Sequence, residues 1–411
     1  MNYDNTWVRL PSGKKVNHDW FNQTDRGELY QRLLRTALEL GGAADCECRR
    51  ESLPVAIRKH DGKLHLARYP LSGPRHAPTC TFFAPPTETS GIRAYDRDVM
   101  VEHGDRFSIR LTHPLNGSAA ENGGHAIERW RGGRTSGIES ASVQGLVHLL
   151  WELSGSNLYR ARVGEMSWYG HATRLMHASK RVGSGRVRLE DRFIAMPPKP
   201  GRLDLDRAGM VADCVGQRIV VVGEFGGFYD RSAPPGLLIR GFVKLPVKIW
   251  FSIERAKCAA LERSYELECR AFDQGCPLGP VIVGVAATVR ANRSRSGFDC
   301  RVDDAMLMSV SPSFVPCESR YEHEVAARME ANRRQFIKPM RYDAAARLAI
   351  PSFVSLDARD GRPVAMHVYE RNDPESRAVH SACEALASQH YGRAWSWDIS
   401  DRGGLPVLPS T

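Results

Sequence analysis

Apolar residues at helical spacing define the first structured segment that the sequence predicts. Leucine and alanine recur three or four positions apart over residues 25–40, and Gly41-Gly42 follows as a C-terminal stop, which predicts a helix. Beyond it, PVAIRK and KLHLARY flank His60-Asp61-Gly62. An Asp-Gly pair between two such runs predicts a β-hairpin.

The centre of the chain alternates between loop-rich and strongly apolar stretches. Residues 85–137 are rich in Gly, Pro, Ser and Thr, which predicts loops and edge strands. The run VQGLVHLLWEL after Ser142 predicts a buried helix, and a second helix is expected over 168–179. RIVVVGEF, GLLIRGFVKL and VIVGVAATV predict strands, with a helix over 252–269 between the second and the third.

The C-terminal quarter shows the clearest order of elements. A helix over 318–334 precedes a short strand at FIKPM, and LAIPSFVSL and PVAMHVY predict two more strands. A helix over 374–389 and a strand at AWSWDI complete the pattern. The predicted order is therefore α-β-β-β-α-β.

The composition of the chain indicates where the protein is located and which classes of partner it binds. No stretch approaches the roughly 20 apolar residues that cross a bilayer, so no membrane partner is expected. The first residues lack an apolar core behind basic ones, so we predict no secretory signal and a cytoplasmic location. The ten cysteines should then stay reduced, and the net charge of +10 favours nucleic acid as a partner.

Two short motifs predict a zinc site. Cys46-x-Cys48 and His76-x-x-x-Cys80 supply four ligands that zinc prefers, and the predicted hairpin between them brings the pairs together. His60 and His65 compete for the histidine position, and the alternative is a set of unrelated surface cysteines. With four protein ligands the site would be closed and structural.

These elements predict a mixed α/β (α+β) fold with several domains, because 411 residues exceed what one core usually organises. We expect an N-terminal helix with a zinc-ribbon-like hairpin module over 1–84 and a loop-rich connector over 85–141. A mixed α/β domain would follow over 142–316, and a C-terminal domain over 317–411.

A basic and aromatic stretch predicts contact with nucleic acid, because guanidinium groups hold phosphates and aromatic rings stack on unpaired bases. The alternative is a solvated helix face with Trp168 in the core. A shorter cluster over 129–134 also combines arginines with a tryptophan. Tyr169 and His171 lie in the same stretch as the predicted residues, and Glu165 is the acid that opposes it. The predicted nucleic-acid-binding residues are Arg160, Arg162, Trp168, Arg174, Lys180, Arg181, Arg186 and Arg188.

Catalytic signatures of common enzyme classes are missing from the sequence. There is no phosphate-binding P-loop, no H-E-x-x-H and no G-x-S-x-G. Glu224 is the best lone acid in the middle region, and a solvated carboxylate at a strand end is the simpler interpretation.

The combination of CEC, HAPTC, LVHLLWEL, VVVGEF and RRQFIKPMRYD resembles an uncharacterised bacterial family, domain of unknown function family 1173. The resemblance runs over nearly the whole chain. It implies cargo of plasmids and integrative conjugative elements, with other mobile-element proteins as possible partners, and it implies no activity.

The C-terminal order of elements separately resembles the restriction-endonuclease-like fold. That resemblance implies a helix Glu, a Pro-Asp and an acid-x-Lys, which hold magnesium at a phosphodiester and orient water. Glu322 matches the helix acid, whereas Ser352 follows Pro351 and His367 and Tyr369 occupy the last two positions. The domain is therefore expected to be degenerate, although nearby acids could substitute, namely Asp357, Asp360, Glu370 and Asp373.

Three functional hypotheses follow. The first is a non-catalytic, DNA-associated accessory protein of a plasmid or integrative conjugative element, with a structural zinc site and a degenerate nuclease-like domain. The second is an active endonuclease that binds magnesium through Glu322 and relocated acids, with Asp357 and His367 as further candidates. The third is a protein-interaction scaffold.

Overall fold

The structure is a computed structural model that describes residues 6–17, 27–60, 62–69, 72–103, 106–116, 135–161, 167–195, 209–229, 235–240, 248–291, 297–401 and 403–410. Its helices and strands form a mixed α+β fold, which confirms the predicted fold class. Within those ranges, no helix combines the length and the apolar character that crossing a bilayer requires.

Five antiparallel strands form the first sheet: β1 (Trp7–Arg9), β2 (Lys15–Asn17), β3 (Ala43–Cys46), β4 (Leu53–His60) and β5 (Lys63–Arg68). They lie in the order β2-β1-β3-β4-β5. Helix α1 (Gly27–Glu39) packs on this sheet through Tyr30, Leu34 and Ala37. The predicted helix and hairpin are both confirmed, with Gly62 at a φ of 77°, a left-handed conformation that glycine adopts readily.

A second sheet joins the predicted connector to the middle of the chain. Its strands are β6 (Met100–His103), β7 (Arg106–Ile109), β9 (Val182–Ser184) and β10 (Val187–Arg188), in the order β10-β9-β7-β6. Strand β8 (Leu158–Tyr159) belongs to another sheet. Val99, Phe107 and Ile109 are buried in the largest hydrophobic cluster, so the predicted connector contributes to the main core.

A third sheet closes on itself. Its strands are β11 (Phe193–Ala195), β12 (Arg218–Tyr229), β13 (Gly236–Ile239), β14 (Lys248–Ser252), β15 (Val281–Ala291) and β16 (Gly297–Ser309). They lie in the order β11-β12-β13-β14-β16-β15, and β12 also pairs with β15. The strands predicted at RIVVVGEF and VIVGVAATV are confirmed, whereas β14 and β16 were not predicted.

The two predicted helices of the middle region are α2 (Val143–Ser154) and α3 (Trp168–Ser179). Helix α2 packs on β15 and β16, and the Ser142 side chain caps its N-terminus. A Cβ atom at Gly284 would lie 2.8 Å from Val147 Cγ2, so glycine permits the close approach of β15 to the helix. Both helices begin and end within a few residues of their predicted positions.

The prediction of a single helix over 252–269 is wrong. The structure has two helices there, α4 (Arg255–Ser264) and α5 (Glu266–Asp273). Tyr265 breaks the run at φ −119° and ψ 38°. It is 2% exposed and donates a hydrogen bond from its hydroxyl to Gln144 Oε1 at 2.8 Å. This tertiary contact with α2 outweighs the local preference for one continuous helix.

The C-terminal elements are α6 (Arg320–Ala331), β17 (Phe336–Ile337), β18 (Phe353–Ser355), β19 (Val364–Tyr369), α7 (Pro374–His390) and β20 (Ala394–Asp398). The sheet order is β20-β19-β18-β17-β8, and β19 and β20 are parallel. Because β8 pairs with β17, hydrogen bonds cross the boundary predicted between 316 and 317. The division into four regions stays a prediction.

Candidate metal centre and charged sites

Four side chains of the N-terminal sheet region meet at one point. Cys46 is the last residue of β3, and Cys48 lies in the turn that follows. His76 ends a 3-10 turn over Gly73–Arg75, and Cys80 closes the next turn through a hydrogen bond from its N–H to the Ala77 carbonyl at 2.9 Å. The antiparallel pairing of β3, β4 and β5 returns the chain to the first cysteine pair, as the spacing predicts.

The separations between these side chains match the edges of a metal-centred tetrahedron. Cys46 Sγ lies 3.6 Å from Cys80 Sγ, and His76 Nδ1 lies 3.5 Å from Cys48 Sγ and 3.8 Å from Cys80 Sγ. Bonds of about 2.3 Å to sulfur and about 2.05 Å to nitrogen give tetrahedral edges of about 3.8 and about 3.6 Å. Among the described residues, this is the one group of three or more His, Cys, Asp or Glu side chains near enough to share a metal ion.

Backbone donors support the sulfur atoms. The N–H of Ala77 donates to Cys48 Sγ at 3.3 Å, and the N–H of Phe82 donates to Cys80 Sγ at 3.4 Å. Such bonds favour thiolate, the form of cysteine that binds metals. Cys46 and Cys80 are buried in the hydrophobic cluster that the sheet forms with α1. The four side chains can therefore hold a metal ion away from solvent.

The proximity of the thiols changes their acidity. Hydrogen bonds from Cys46 and Cys80 lower the pKa of Cys48 far below its usual range. The hydrogen bond to Cys48, followed by that to Cys80, raises the pKa of Cys46 far above it. The clustered thiols therefore do not ionise independently of one another. A bound divalent ion would supply the charge that the remaining thiolates need.

The competition among histidines is resolved in favour of His76. Its Nδ1 atom belongs to the cluster, whereas His65 lies on β5 opposite Arg58. The side chain of His60 lies outside the described residues. The remaining ring nitrogen of His76, Nε2, is buried and has no hydrogen-bond partner among the described residues.

Two arginines contact the loops that carry the ligands. Arg49 Nη2 donates to the His76 carbonyl at 3.2 Å, and Arg160 Nη2 donates to the Cys80 carbonyl at 3.3 Å. Arg174 lies near Arg160, and burial followed by the Arg160 charge lowers the Arg174 pKa. In the described part of the chain, none of these three arginines has an acidic partner. The predicted residue Arg160 thus contacts a ligand loop, and the predicted residue Arg174 lies near Arg160. Arg49 was not among the predicted residues.

Trp168 is not available to stack on a base, which corrects the prediction for this residue. Its side chain is 3% exposed, and its ring stacks on Trp151 with centroids 6.3 Å apart. The helical spacing of Trp168, Ala172 and Leu175, all buried, is the signal that identifies a core-facing position. Tyr169 is 50% exposed instead.

The remaining basic residues of the predicted set have other surroundings. Arg181 lies over the ring of Phe107, with Cζ 5.8 Å from its centroid. Arg188 forms ion pairs with Glu190 and Asp191, which offset its charge. Lys180 follows α3, and Arg186 is exposed in the turn between β9 and β10. Arg162 and the cluster over 129–134 lie outside the described residues.

The carboxylate of Glu322, the predicted helix acid, forms an ion pair with a lysine. Lys338 Nζ donates to its two carboxylate oxygens at 2.9 and 2.8 Å. Glu318, one turn earlier, lies 3.3 Å from the same Nζ and accepts from Arg341 Nε at 2.8 Å. Burial alone would raise the pKa of Glu318, but Arg341 and Lys338 hold it well below its usual range. Lys338 lies in the FIKPM segment but was not among the predicted site residues.

The other candidate acids serve local structure. Asp357 accepts from Arg334 Nε at 2.9 Å and from the Gln335 N–H at 2.8 Å. Asp373 caps α7, and Asp360 pairs with Arg393. Glu224 forms a surface ion pair with Arg240. Glu322 and Asp357 are therefore neutralised by different cations and share no group of three metal-binding side chains among the described residues.

The two residues that replace acids in the endonuclease-like pattern, Ser352 and His367, are also buried. Ser352 Oγ accepts from the Val368 N–H at 3.2 Å. Burial lowers the pKa of His367 to about 3, so its imidazole is neutral near physiological pH. A neutral ring and a hydroxyl supply no charge for a divalent ion.

These features define a mixed α+β protein with a Cys₃His cluster that could hold a metal ion. The sequence matches the model of the family described as protein of unknown function (DUF1173) over residues 19–200 and 202–400. The chain belongs to that family, which confirms this part of the resemblance. No curated protein matches the chain.

Proposed function

We propose that this chain is a nucleic-acid-associated accessory protein in which a structural zinc ion, bound by Cys46, Cys48, His76 and Cys80, shapes an arginine-bearing surface. Four protein ligands complete a tetrahedron and leave no open position for water or substrate. The ion would therefore stabilise the fold and take no part in chemistry.

The observation that carries the proposal is the attachment of arginines to the ligand loops. Arg49 and Arg160 donate to the carbonyls of the two ligands His76 and Cys80. Zinc with three thiolates and one imidazole has a net charge of −1, and the two arginines that donate to these loops more than offset it. With Arg174 the surface is positive, and guanidinium groups suit phosphate oxygens.

The acids of the C-terminal region support a role without cleavage. Magnesium at a phosphodiester requires several unneutralised carboxylates at one point. Glu322 instead forms an ion pair with Lys338, and their side chains are 7% and 3% exposed. The region would then supply structure and binding surface, as a degenerate nuclease-like domain does. DNA of a plasmid or conjugative element, in a bacterial cytoplasm, is the partner that the family resemblance implies.

Binding of fluorescent single- and double-stranded DNA to the purified full chain, at about 50 to about 200 mM salt, tests the proposal. Affinity should fall as salt rises. Arg160→Gln/Arg174→Gln should weaken binding to every sequence and reduce the salt slope by about 1 for each phosphate that the variant no longer neutralises.

Arg270→Gln is the matched control, because Arg270 is 61% exposed and pairs with Glu266 on α5. It should bind like the wild type. No binding at low salt, or an affinity that does not change with salt, would contradict the proposal. If the double variant bound DNA as tightly as the wild type, the arginine surface would not be the binding site.

A further inference from the structure

A cavity of about 370 Å³ lies between α2, α5, the end of β16 and residues 338–346. Ser309, the last residue of β16, contributes to its wall. Neither the ligand cluster nor the three arginines described above line this cavity, so it is separate from the proposed nucleic-acid surface.

Ser309 has a base within hydrogen-bonding distance. Its Oγ lies 2.8 Å from Nε2 of His323, in the first turn of α6. The Cys317 N–H donates to the Ser309 carbonyl at 2.9 Å and fixes the backbone at this point. A hydroxyl beside an imidazole is the arrangement that activates serine as a nucleophile, because the ring can take the proton.

The surroundings of His323 keep its imidazole ring neutral. It is 6% exposed, and burial lowers its pKa to about 4, although the Leu278 backbone acts in the opposite direction. A neutral imidazole can accept the hydroxyl proton through Nε2 when Nδ1 carries its own proton.

The cavity wall indicates an uncharged ligand. Two carboxylates, Glu268 and Glu318, and two cations, Lys338 and Arg341, line it. Both cations already belong to ion pairs, Lys338 with Glu322 and Arg341 with Glu318. The rest of the wall is largely apolar, including Leu307, Met308 and Met340. A charged ligand would have to compete with these ion pairs for a counter-charge.

The wall also contains His148, whose imidazole ring has a defined tautomer and can donate a hydrogen bond. The Tyr342 N–H donates to His148 Nδ1 at 2.8 Å, so the proton of this ring is on Nε2. Burial lowers the pKa of His148 to about 3, which keeps the ring neutral. His148 thus offers a donor to a carbonyl oxygen without adding charge to the cavity.

We propose that Ser309 is a nucleophile, with His323 as its general base, and that the cavity takes a small uncharged ester. Ser309 Oγ forms a bond to the ester carbonyl carbon while His323 Nε2 takes the hydroxyl proton. The bond from that carbon to the leaving oxygen breaks, and the alcohol leaves with the proton from His323. Water then attacks the acyl-serine, its proton passes through His323 to Ser309, and a carboxylic acid is released.

Phenylmethylsulfonyl fluoride, an uncharged reagent for activated serines, tests the nucleophile in the full-length chain. Peptide mapping of the folded wild type should show one sulfonyl group on Ser309. Hydrolysis of p-nitrophenyl acetate should proceed in wild type and be lost after Ser309 is labelled. The experiment does not depend on nucleic-acid binding, so the two proposals can fail separately.

His323→Gln keeps a polar group beside Ser309 and removes the base, so labelling should slow by about a hundredfold. Ser313→Ala, in the loop beyond β16, is the matched control and should label like the wild type. Circular dichroism establishes that each variant is folded. An unlabelled Ser309 in the folded wild type would overturn the proposal, and so would an equal labelling rate in folded His323→Gln.

Discussion

Lys338 donates hydrogen bonds from Nζ to both carboxylate oxygens of Glu322, at 2.9 and 2.8 Å. Glu322 lies on α6, and Lys338, 16 positions later, directly follows β17. The charge of the helix acid is thus matched within the protein. A magnesium ion at this point would have to displace a buried ammonium group, which is costly.

We therefore expect no cleavage when supercoiled plasmid is incubated with pure wild-type protein and Mg²⁺ or Mn²⁺. The measurement is the conversion of supercoiled to nicked or linear DNA on a gel. Glu322→Ala serves as the control for contamination. Cleavage by the wild type that disappears in Glu322→Ala would show that the carboxylate acts in spite of its lysine partner.

Lys338→Met should lower the free energy of unfolding by about 3–5 kcal/mol, because it leaves buried carboxylates without their cation. Urea denaturation followed by circular dichroism measures the change. Arg270→Met, which breaks an exposed pair with Glu266, should cost less than about 1 kcal/mol. Equal effects of the two variants would contradict the buried ion pair.

Trp168→Ala should lower the free energy of unfolding by about 3–5 kcal/mol, since it empties a site between Trp151 and Phe314. Tyr169→Ala, one residue further on, should change it by less than about 1 kcal/mol because that ring is 50% exposed. Thermal and urea unfolding of both variants provide the comparison. A small effect at Trp168 would contradict its position in the core.

Stability should fall as the pH is lowered from about 7 to about 5. Burial lowers the pKa of His148 and His367 to about 3, and that of His171 and His323 to about 4. Below the unfolded pKa of about 6.5 the unfolded chain binds more protons, so each histidine costs about 1.4 kcal/mol per pH unit until its folded pKa is reached.

Three buried carboxyls oppose this trend. Burial raises the pKa of Asp304 to about 6 and also raises the pKa of Glu152 and Asp343, so each of them favours the folded state as the pH falls toward its unfolded value. Glu318 acts in the same direction as the four histidines, because its pKa is held below its usual range and its contribution is lost in acid. The thermal midpoint measured against pH should therefore drop steeply in acid, and less steeply in His367→Gln. A midpoint that is constant from pH 7 to 5 would contradict these buried neutral rings.

Local patterns in the sequence identify much of the fold. The Asp-Gly turn predicts the β4–β5 hairpin, and the hairpin in turn brings Cys46 and Cys48 near His76 and Cys80. Such predictions succeed because the residues that decide them are close in sequence. Strand β16 was missed because Asp303 and Asp304 interrupt its apolar run. In the fold, Asp303 is buried against Arg218 and Asp304 accepts from the Val143 N–H.

Contacts between distant segments account for the rest. No local pattern places Lys338 against Glu322, or Ser309 against His323, since each pair joins different elements. The helical period would have identified Trp168 as a core residue, but the basic residues around it favoured a surface interpretation. The site residues most useful for chemistry are thus those that only the tertiary fold brings together.

The most direct test of the account is the metal content of the purified full-length chain, measured by inductively coupled plasma mass spectrometry after exhaustive dialysis. We expect about one zinc ion per chain in the wild type and in Cys269→Ser, which alters a cysteine outside the cluster. Cys80→Ser should lose the ion. Wild-type protein without zinc, or zinc retained equally by Cys80→Ser, would contradict the central claim.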